Sequence, residues 1–431
     1  MRIEIGNQKH MHMLNKALLV SLCLFHVLLI SGQQKLSDIE HKYPFLQSQN
    51  AYLVHYGDST ASMHFMERFA QLNLCGTERL SIAHFGGSHV QAGTLSRNIW
   101  RNLQTLYPSV YGAPGFVFPF HLAKTNNPAH YQTESSAEFT SIRAARPSEN
   151  ARWGMSAITI FTHDTAGYVR MFNRDADTNY WSFNRVKIYT PVCDSVFPIY
   201  PDSSYNVIAT NVDSVAGMVE WVLDANYTEL LFHWNKTDSL QHVLYIDGIQ
   251  LDNSEPGITY HAMGANGNST KSLVRSEAFW PQIKYLNADL AIFGVGINDA
   301  HKSKVGFDVI EYKNNYRKII DTLRAHNPNI ALIFMTNNDS YYKGSPNPNA
   351  LRVQKAMQHL ATEYGGWVFD LFSYMGGMNA SQVWHRHGLG KRDKIHFTPE
   401  GYRVHADAMH QAIKHAFFDY LHKTYPQPLI E

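Results

Sequence analysis

Ser88 stands in the stretch SIAHFGGSHVQAG (81–93), after an apolar run that ends in two glycines. A serine hydroxyl becomes a nucleophile when a base lies within reach of its proton. Far downstream, DKIHFTPEGY supplies Asp393 and His396, three residues apart. His396 would take the serine proton and return it to a leaving alcohol, while Asp393 would fix the imidazole tautomer and stabilise the imidazolium. Between these stretches lie GANGNST, with Gly267, and GINDA, with Asn298 and Asp299. Gly267 would bring a bare backbone N–H close to a substrate, and Asn298 offers a side-chain amide donor. The Ser88 N–H, at the start of a helix, would be the third donor to a developing oxyanion. The expectation is an acyl-transfer site with catalytic Ser88, Asp393 and His396, an oxyanion hole of Ser88, Gly267 and Asn298, no metal and no organic cofactor.

Each stretch also has a plainer reading. A Gly-Gly-Ser turn after a strand is usually only a turn, and Asn or Asp ends strands for turn reasons. Thr398 and Pro399 read as the N-cap and first residue of a helix, which leaves Asp393 and His396 unexplained. Asp299 would brace its loop. Asp370, after WVF, competes with Asp393 as the partner of His396, and the three-residue spacing favours Asp393. His89 reads as structural or substrate-facing. The two histidines of WHRHG (384–388) make a weak metal signal and read as loop residues. The weight lies in the conjunction of four stretches in order, each following an expected strand or sitting in the C-terminal loop.

The elements that must position these residues are legible as an α/β rhythm. SMHFMERFAQLN (62–73) has helical periodicity, RLSIAHFG (79–86) reads as a buried strand, and 88–107 turns helical again. After Pro256 come strand GITYHAMG, helix SEAFWPQIKYL and strand DLAIFGVG. Helix DVIEYKNNYRKIIDTLRAH, strand NIALIFMTNN, helix NALRVQKAMQHLATEYG and strand WVFDLF follow, with a last helix from about Pro399. About five apolar strands alternating with amphipathic helices imply a parallel sheet covered on both faces, whose sites lie at the carboxyl ends of the strands. From about Trp153 to Asp252 short β-branched and aromatic runs between turn residues suggest instead an antiparallel sandwich, inserted between the first and second parallel strands. We place the parts at 1–32 (signal peptide), 40–130 and 256–431 (α/β domain) and 131–255 (inserted sandwich).

The order GGS, then Gly, then GxND, then DxxH resembles the four blocks of the SGNH (GDSL-type) hydrolases, from about Arg79 to Tyr420. The resemblance implies a three-layer, flavodoxin-like α/β domain with Ser88 as nucleophile, Asp393 and His396 completing the triad, and Gly267 and Asn298 joining the Ser88 amide in the oxyanion hole. A β-sandwich between the first two blocks, jelly-roll-like and similar to a carbohydrate-binding module, is similar to the arrangement in peptidoglycan O-acetylesterases. One position departs from the family pattern: Gly87 stands where Asp is usual. That aspartate is not a triad member, so its absence bears on the aim of Ser88 rather than on the reaction class.

Composition sets the bounds. The chain has 431 residues, 44% hydrophobic and 17% charged, with a formal net charge of +1. That balance argues against nucleic acid as a partner, and the length favours two domains or one with a large insertion. Aromatic residues make up 13%; Trp153, Trp181, Trp221 and Trp234 are candidates for stacking on sugars, with core filling as the alternative. An apolar run from Ala17 to Ile30 after Lys16 reads as an export signal, cleaved to give a periplasmic or secreted protein or else retained as an anchor. Cys75 and Cys193 would remain, bonded or as two thiols. The expected function is an exported esterase acting on an acylated carbohydrate polymer through an acyl-Ser88 intermediate. Acetyl is the first acyl group to consider, peptidoglycan the first polymer and acetylated xylan the second. A sugar O-acetyltransferase and an inactive glycan-binding protein are the alternatives, and the sequence leaves the oligomeric state open.

Overall fold

The computed structural model describes residues 39, 41–104, 111–146, 151–175 and 179–425. The expected export signal at 1–32 lies outside them. Among the described residues no helix is long and apolar enough to cross a membrane.

Six strands form the central sheet: β1 (Leu53–Tyr56), β2 (Arg79–Gly86), β3 (Gly257–Gly264), β4 (Leu290–Phe293), β5 (Ala331–Met335) and β6 (Gly366–Phe369). Their spatial order is β1-β6-β5-β4-β2-β3. All neighbours are parallel except β1, which pairs antiparallel with β6 at the edge. The five parallel strands are the five expected from sequence; β1, four residues long and largely half-buried, carries no such apolar run. Because β2 is flanked by β3 on one side and β4 on the other, the winding reverses there and opens a crevice at their carboxyl ends. Ser88 follows β2, and Asn298 follows β4.

The strands alternate between two cores. Ile82, Leu290, Ile292, Ile333 and Phe369 face helices α1 (Thr60–Cys75), α2 (Thr94–Gln104) and α5 (Pro399–Thr424). Their strand neighbours Ala83, Ala291, Phe293, Phe334 and Val368 face α3 (Val309–His326) and α4 (Asn349–Tyr364). The period of two, with apolar residues on both faces, is what a sheet covered on both sides requires. This is a three-layer α/β domain.

An antiparallel β-sandwich interrupts it between β2 and β3. A five-stranded sheet runs in the order Val207–Asp213, Met218–Tyr227, Phe183–Tyr189, Gly248–Asp252, Gly115–Val117. A four-stranded sheet (Tyr131–Ser135, Ala166–Asn173, Glu229–Asn235, Ile199–Pro201) and a three-stranded one (Leu244–Ile246, Ile158–Thr162, Thr140–Arg143) accompany it. The tryptophans offered as sugar-stacking candidates are all buried: Trp153 is 6% exposed, Trp181 and Trp221 2%, and Trp234 1%. They fill the core, as their large apolar area favours. Cys75 and Cys193 are both free and exposed.

The insertion is fastened to the α/β domain. Its core belongs to the same apolar cluster as α3 and α4. Arg97 on α2 pairs with Asp175. Gln282, fully buried, donates to Ala216 O and Asp247 Oδ2. Asp213 accepts from Lys284 Nζ at 2.8 Å and from the Tyr285 hydroxyl at 2.6 Å, and these bonds hold its carboxyl well below the ordinary value.

Three histidines sit fully within the protein: His84, His261 and His405. Burial keeps each ring neutral, lowering His84 from 6.5 to about 3, His261 to about 4 and His405 well below 6.5. The unfolded chain takes up these protons below about pH 6.5 and the folded chain does not. The stability they permit is therefore intact above that pH and lost as pH falls, by up to about 3 kcal/mol at pH 5.5 for His84 and His261 together. The melting temperature should drop between pH 7 and 5, and His405→Phe should make the drop shallower; equal slopes in the two proteins would contradict this.

Candidate active site

Two close contacts explain the paired glycines before Ser88. A Cβ on Gly86 would fall 2.2 Å from Val90 Cγ2, and one on Gly87 would fall 3.1 Å from Asn298 Nδ2 and 3.4 Å from Asn268 O. Gly86 lets the short helix Ser88–Gln91 fold back onto its own strand. Gly87 lets the Asn298 amide lie alongside the turn. A Cβ at 87 would require that amide to give by a few tenths of an ångström. Ser88 begins the helix, where the first N–H groups have no partner within it.

The structure brings Ser88, His396 and Asp393 into one line. Ser88 Oγ lies 2.7 Å from His396 Nε2, and His396 Nδ1 lies 2.7 Å from Asp393 Oδ2. The other carboxylate oxygen, Oδ1, accepts the backbone N–H groups of Ile395 and His396, each at 2.9 Å. Partial burial opposes ionisation of Asp393, but the amide and ring N–H of His396 and the Ile395 amide outweigh it and hold the carboxyl below its usual value. The loop is closed at its base: Lys391 N–H donates to His396 O at 2.7 Å and Thr398 N–H to Leu389 O at 2.9 Å. Thr398 caps α5, accepting from the Gly401 N–H, with Pro399 in the first turn. Helix and loop thus hold Asp393 and His396 in register.

Asp370 is engaged elsewhere. It caps the helix Leu371–Met375 and accepts from Thr336 Oγ1, Gln354 Nε2 and the Ser373 hydroxyl. His385 is not a loop residue; it lies in the last turn of a helix, Ala380–Arg386. The rings of His385 and His387 each bond a backbone carbonyl, of Gly390 and Val383. Among the described residues no group of three or more His, Cys, Asp or Glu is placed to hold a metal ion.

His89 has a place that the sequence does not signal. Its ring lies 5.3 Å from that of His396 and packs against Phe397 and Tyr402, with Nδ1 3.0 Å from the Tyr402 hydroxyl. Burial, and then the adjoining His396, push it from 6.5 to about 3. A neutral ring behind His396 leaves room for positive charge to develop on His396 alone.

On the opposite side, Asn298 Nδ2 donates to Asn268 O at 2.8 Å, which fixes the amide and leaves its second N–H uncommitted by that bond. Gly267 has φ of +85°, and a Cβ there would fall 3.0 Å from Ala145 Cβ. Only glycine fits both the left-handed backbone and the approach of the inserted domain. Asp299 braces this side: it accepts from the Thr270 N–H at 3.1 Å and the Thr270 hydroxyl at 2.6 Å. Burial, partly offset by these bonds, pushes its carboxyl up to about 6. Gly267 and Asn298 line one cleft of about 440 Å³, walled in part by Ala144 and Ala145 of the insertion.

Such an arrangement is suited to attack on an ester carbonyl beside two sets of N–H donors. Residues 247–404 match the GDSL-like lipase/acylhydrolase family. The match takes in the Gly267, Asn298 and Asp393–His396 stretches, and Ser88 lies upstream of it. The chain has the fold of a peptidoglycan O-acetylesterase of solved structure, with a TM-score of 0.69 over 85% of this chain and 99% of that one, at 19% identity. A GDSL-like lipase from Bacteroides thetaiotaomicron aligns at 16% identity and a TM-score of 0.29, over 38% of this chain and 76% of that one. A family two carbohydrate esterase from Cellvibrio japonicus aligns at 12% and 0.22, over 67% and 100%. No curated protein sequence matches the chain. Both the acylhydrolase resemblance and the fold class read from the sequence stand, and the family match supports the expected class of carboxylic ester hydrolase.

Asn298→Ala should lower kcat on a short acyl ester by about 100-fold, the scale of losing one oxyanion donor, with a much smaller change in KM. Gly267→Ala should lose about 1–2 kcal/mol of stability to its left-handed backbone. Steady-state kinetics and denaturant unfolding read the two effects; an unchanged kcat in Asn298→Ala would remove that residue from the oxyanion hole.

Proposed function

We propose that the protein is an exported serine esterase that removes short acyl groups, acetyl first among them, from a carbohydrate polymer, and that the polymer is peptidoglycan. The observation that carries the reading is the Ser88–His396–Asp393 line of two 2.7 Å contacts at the carboxyl end of β2. His396 takes the Ser88 proton as Oγ attacks the acyl carbonyl. The N–H groups of Ser88 and Gly267 and the Asn298 amide receive the negative oxygen. His396 then protonates the sugar oxygen as it leaves, and the same base activates water against the acyl-Ser88 ester. Asp393, held ionised, keeps Nδ1 protonated throughout.

The likeness to a peptidoglycan O-acetylesterase supports the choice of polymer, and the apolar run from Ala17 to Ile30 supports export. The bonded line of the three side chains favours an active enzyme over a glycan-binding protein without turnover.

Purified protein and a 4-nitrophenyl acyl series test the reading. Turnover should be fastest on acetate, abolished in Ser88→Ala with folding intact, and partial in Asp393→Asn. Acetate release from O-acetylated peptidoglycan should follow the same order of variants. Full activity in Ser88→Ala would end the assignment, and transfer of acetate to a sugar in place of its release would make the protein an acyltransferase.

A further inference from the structure

The cleft beside Gly267 and Asn298 is not electrically plain. Lys271 and Arg275 line it from the short helix that follows Gly267, and Lys302 from the loop after Asn298, together with Asp308 and Glu311. The carboxylates are already matched. Glu311 Oε1 lies 3.1 Å from Lys271 Nζ. Asp308 caps α3, with Oδ1 accepting the N–H groups of Ile310 and Glu311 at 2.8 and 3.0 Å. Asp299, below them, is bound by Thr270. Neither Arg275 nor Lys302 makes an ion-pair contact among the described residues; Lys302 feels the charges of Asp299 and Asp308 at longer range, whereas Arg275 faces no such carboxylate contact.

Arg275 is held in place by the inserted domain. Its guanidinium lies over the Trp153 ring, 5.0 Å from the centroid, and Nη1 donates to Ala144 O at 3.4 Å. Trp153 is itself buried. These contacts fix the plane of a group with five N–H donors and use one of them weakly. A pre-oriented guanidinium fork matches a carboxylate bidentately, and little freedom remains to be lost on binding.

We propose that this cleft binds a carboxylate carried by the saccharide substrate, through Arg275 and with the Lys302 ammonium group as second contact. The inference rests on the carbohydrate-ester reading and adds what the sugar must carry: an acid group within reach of the acylated hydroxyl, as on a lactyl or peptide substituent. The inserted domain then selects substrate by setting Arg275 on Trp153, and its tryptophan acts from within the fold.

The test uses the full chain and two probes that differ only at the acid group: an O-acetylated muramic acid glycan with its lactyl or peptide carboxylates free, and the same glycan with them converted to primary amides, which keep the size and lose the charge. The wild-type kcat/KM should favour the free acid by about tenfold or more, the scale of a charge-assisted bidentate contact. Arg275→Gln and Lys302→Gln should each shrink that ratio through KM, and added salt should shrink it in the wild type. Arg275 also joins the two domains, so melting curves accompany its kinetics. Lys302→Gln alters an exposed side chain and keeps the test valid if Arg275→Gln unfolds. A wild-type ratio near one, or a ratio unmoved by Lys302→Gln and by a folded Arg275→Gln, overturns the proposal alone. Turnover of 4-nitrophenyl acetate with neither glycan hydrolysed overturns the carbohydrate-ester reading and this proposal with it.

Discussion

The contact between Ser88 and His396 joins positions 308 residues apart, and most of the architecture serves to make it. A hydroxyl and an imidazole that approach within hydrogen-bond distance must be carried on supports that do not drift. Here one support is the turn that closes β2, and the other is the loop that leads into α5. The sheet holds both, because β2 is paired on both sides, with β3 and β4, and α5 packs against the face that β2 shares with β4 and β5. Loss of order anywhere in that layer would be felt first as a change in one distance.

The inserted domain meets the same constraint in another way. It leaves the sheet after β2 and returns at β3, two strands that pair in register from end to end. The parallel sheet therefore closes as if the chain had not been interrupted. The insertion is nonetheless no appendage. Ala145 meets Gly267, Trp153 carries Arg275, and the ion pair of Arg97 with Asp175 fastens the far side. The cleft lined by Gly267 and Asn298 has walls from both parts of the chain.

Much of this was legible in the sequence, for definite reasons. Parallel strands buried on both faces must be apolar along their length, so β2 to β6 stand out as runs. Residues after such strands fall at one edge of the sheet, which makes Ser88, Gly267 and Asn298 a set before any distance is known. Asp393 and His396 were legible through their spacing. Other features left no local mark. β1 is four half-exposed residues whose place depends on β6. The helices Leu371–Met375 and Ala380–Arg386 are too short for a periodic pattern. The tryptophans of the insertion read equally as surface platforms or as core, because ring chemistry alone does not say which face is covered. His89 and Arg275 owe their places to rings far away in the chain, Tyr402 and Trp153, and only folding reveals such pairings.

The approach of Ala145 to Gly267 has a consequence for how such a chain can change. A binding module joined by a linker can be exchanged, lost or duplicated while the enzyme beside it is left alone. Here a methyl group of the module stands close to where a side chain at Gly267 would have to go, so remodelling of one limits the other. A substitution in the sandwich can therefore reshape the cleft without a single change in Ser88, Asp393 or His396.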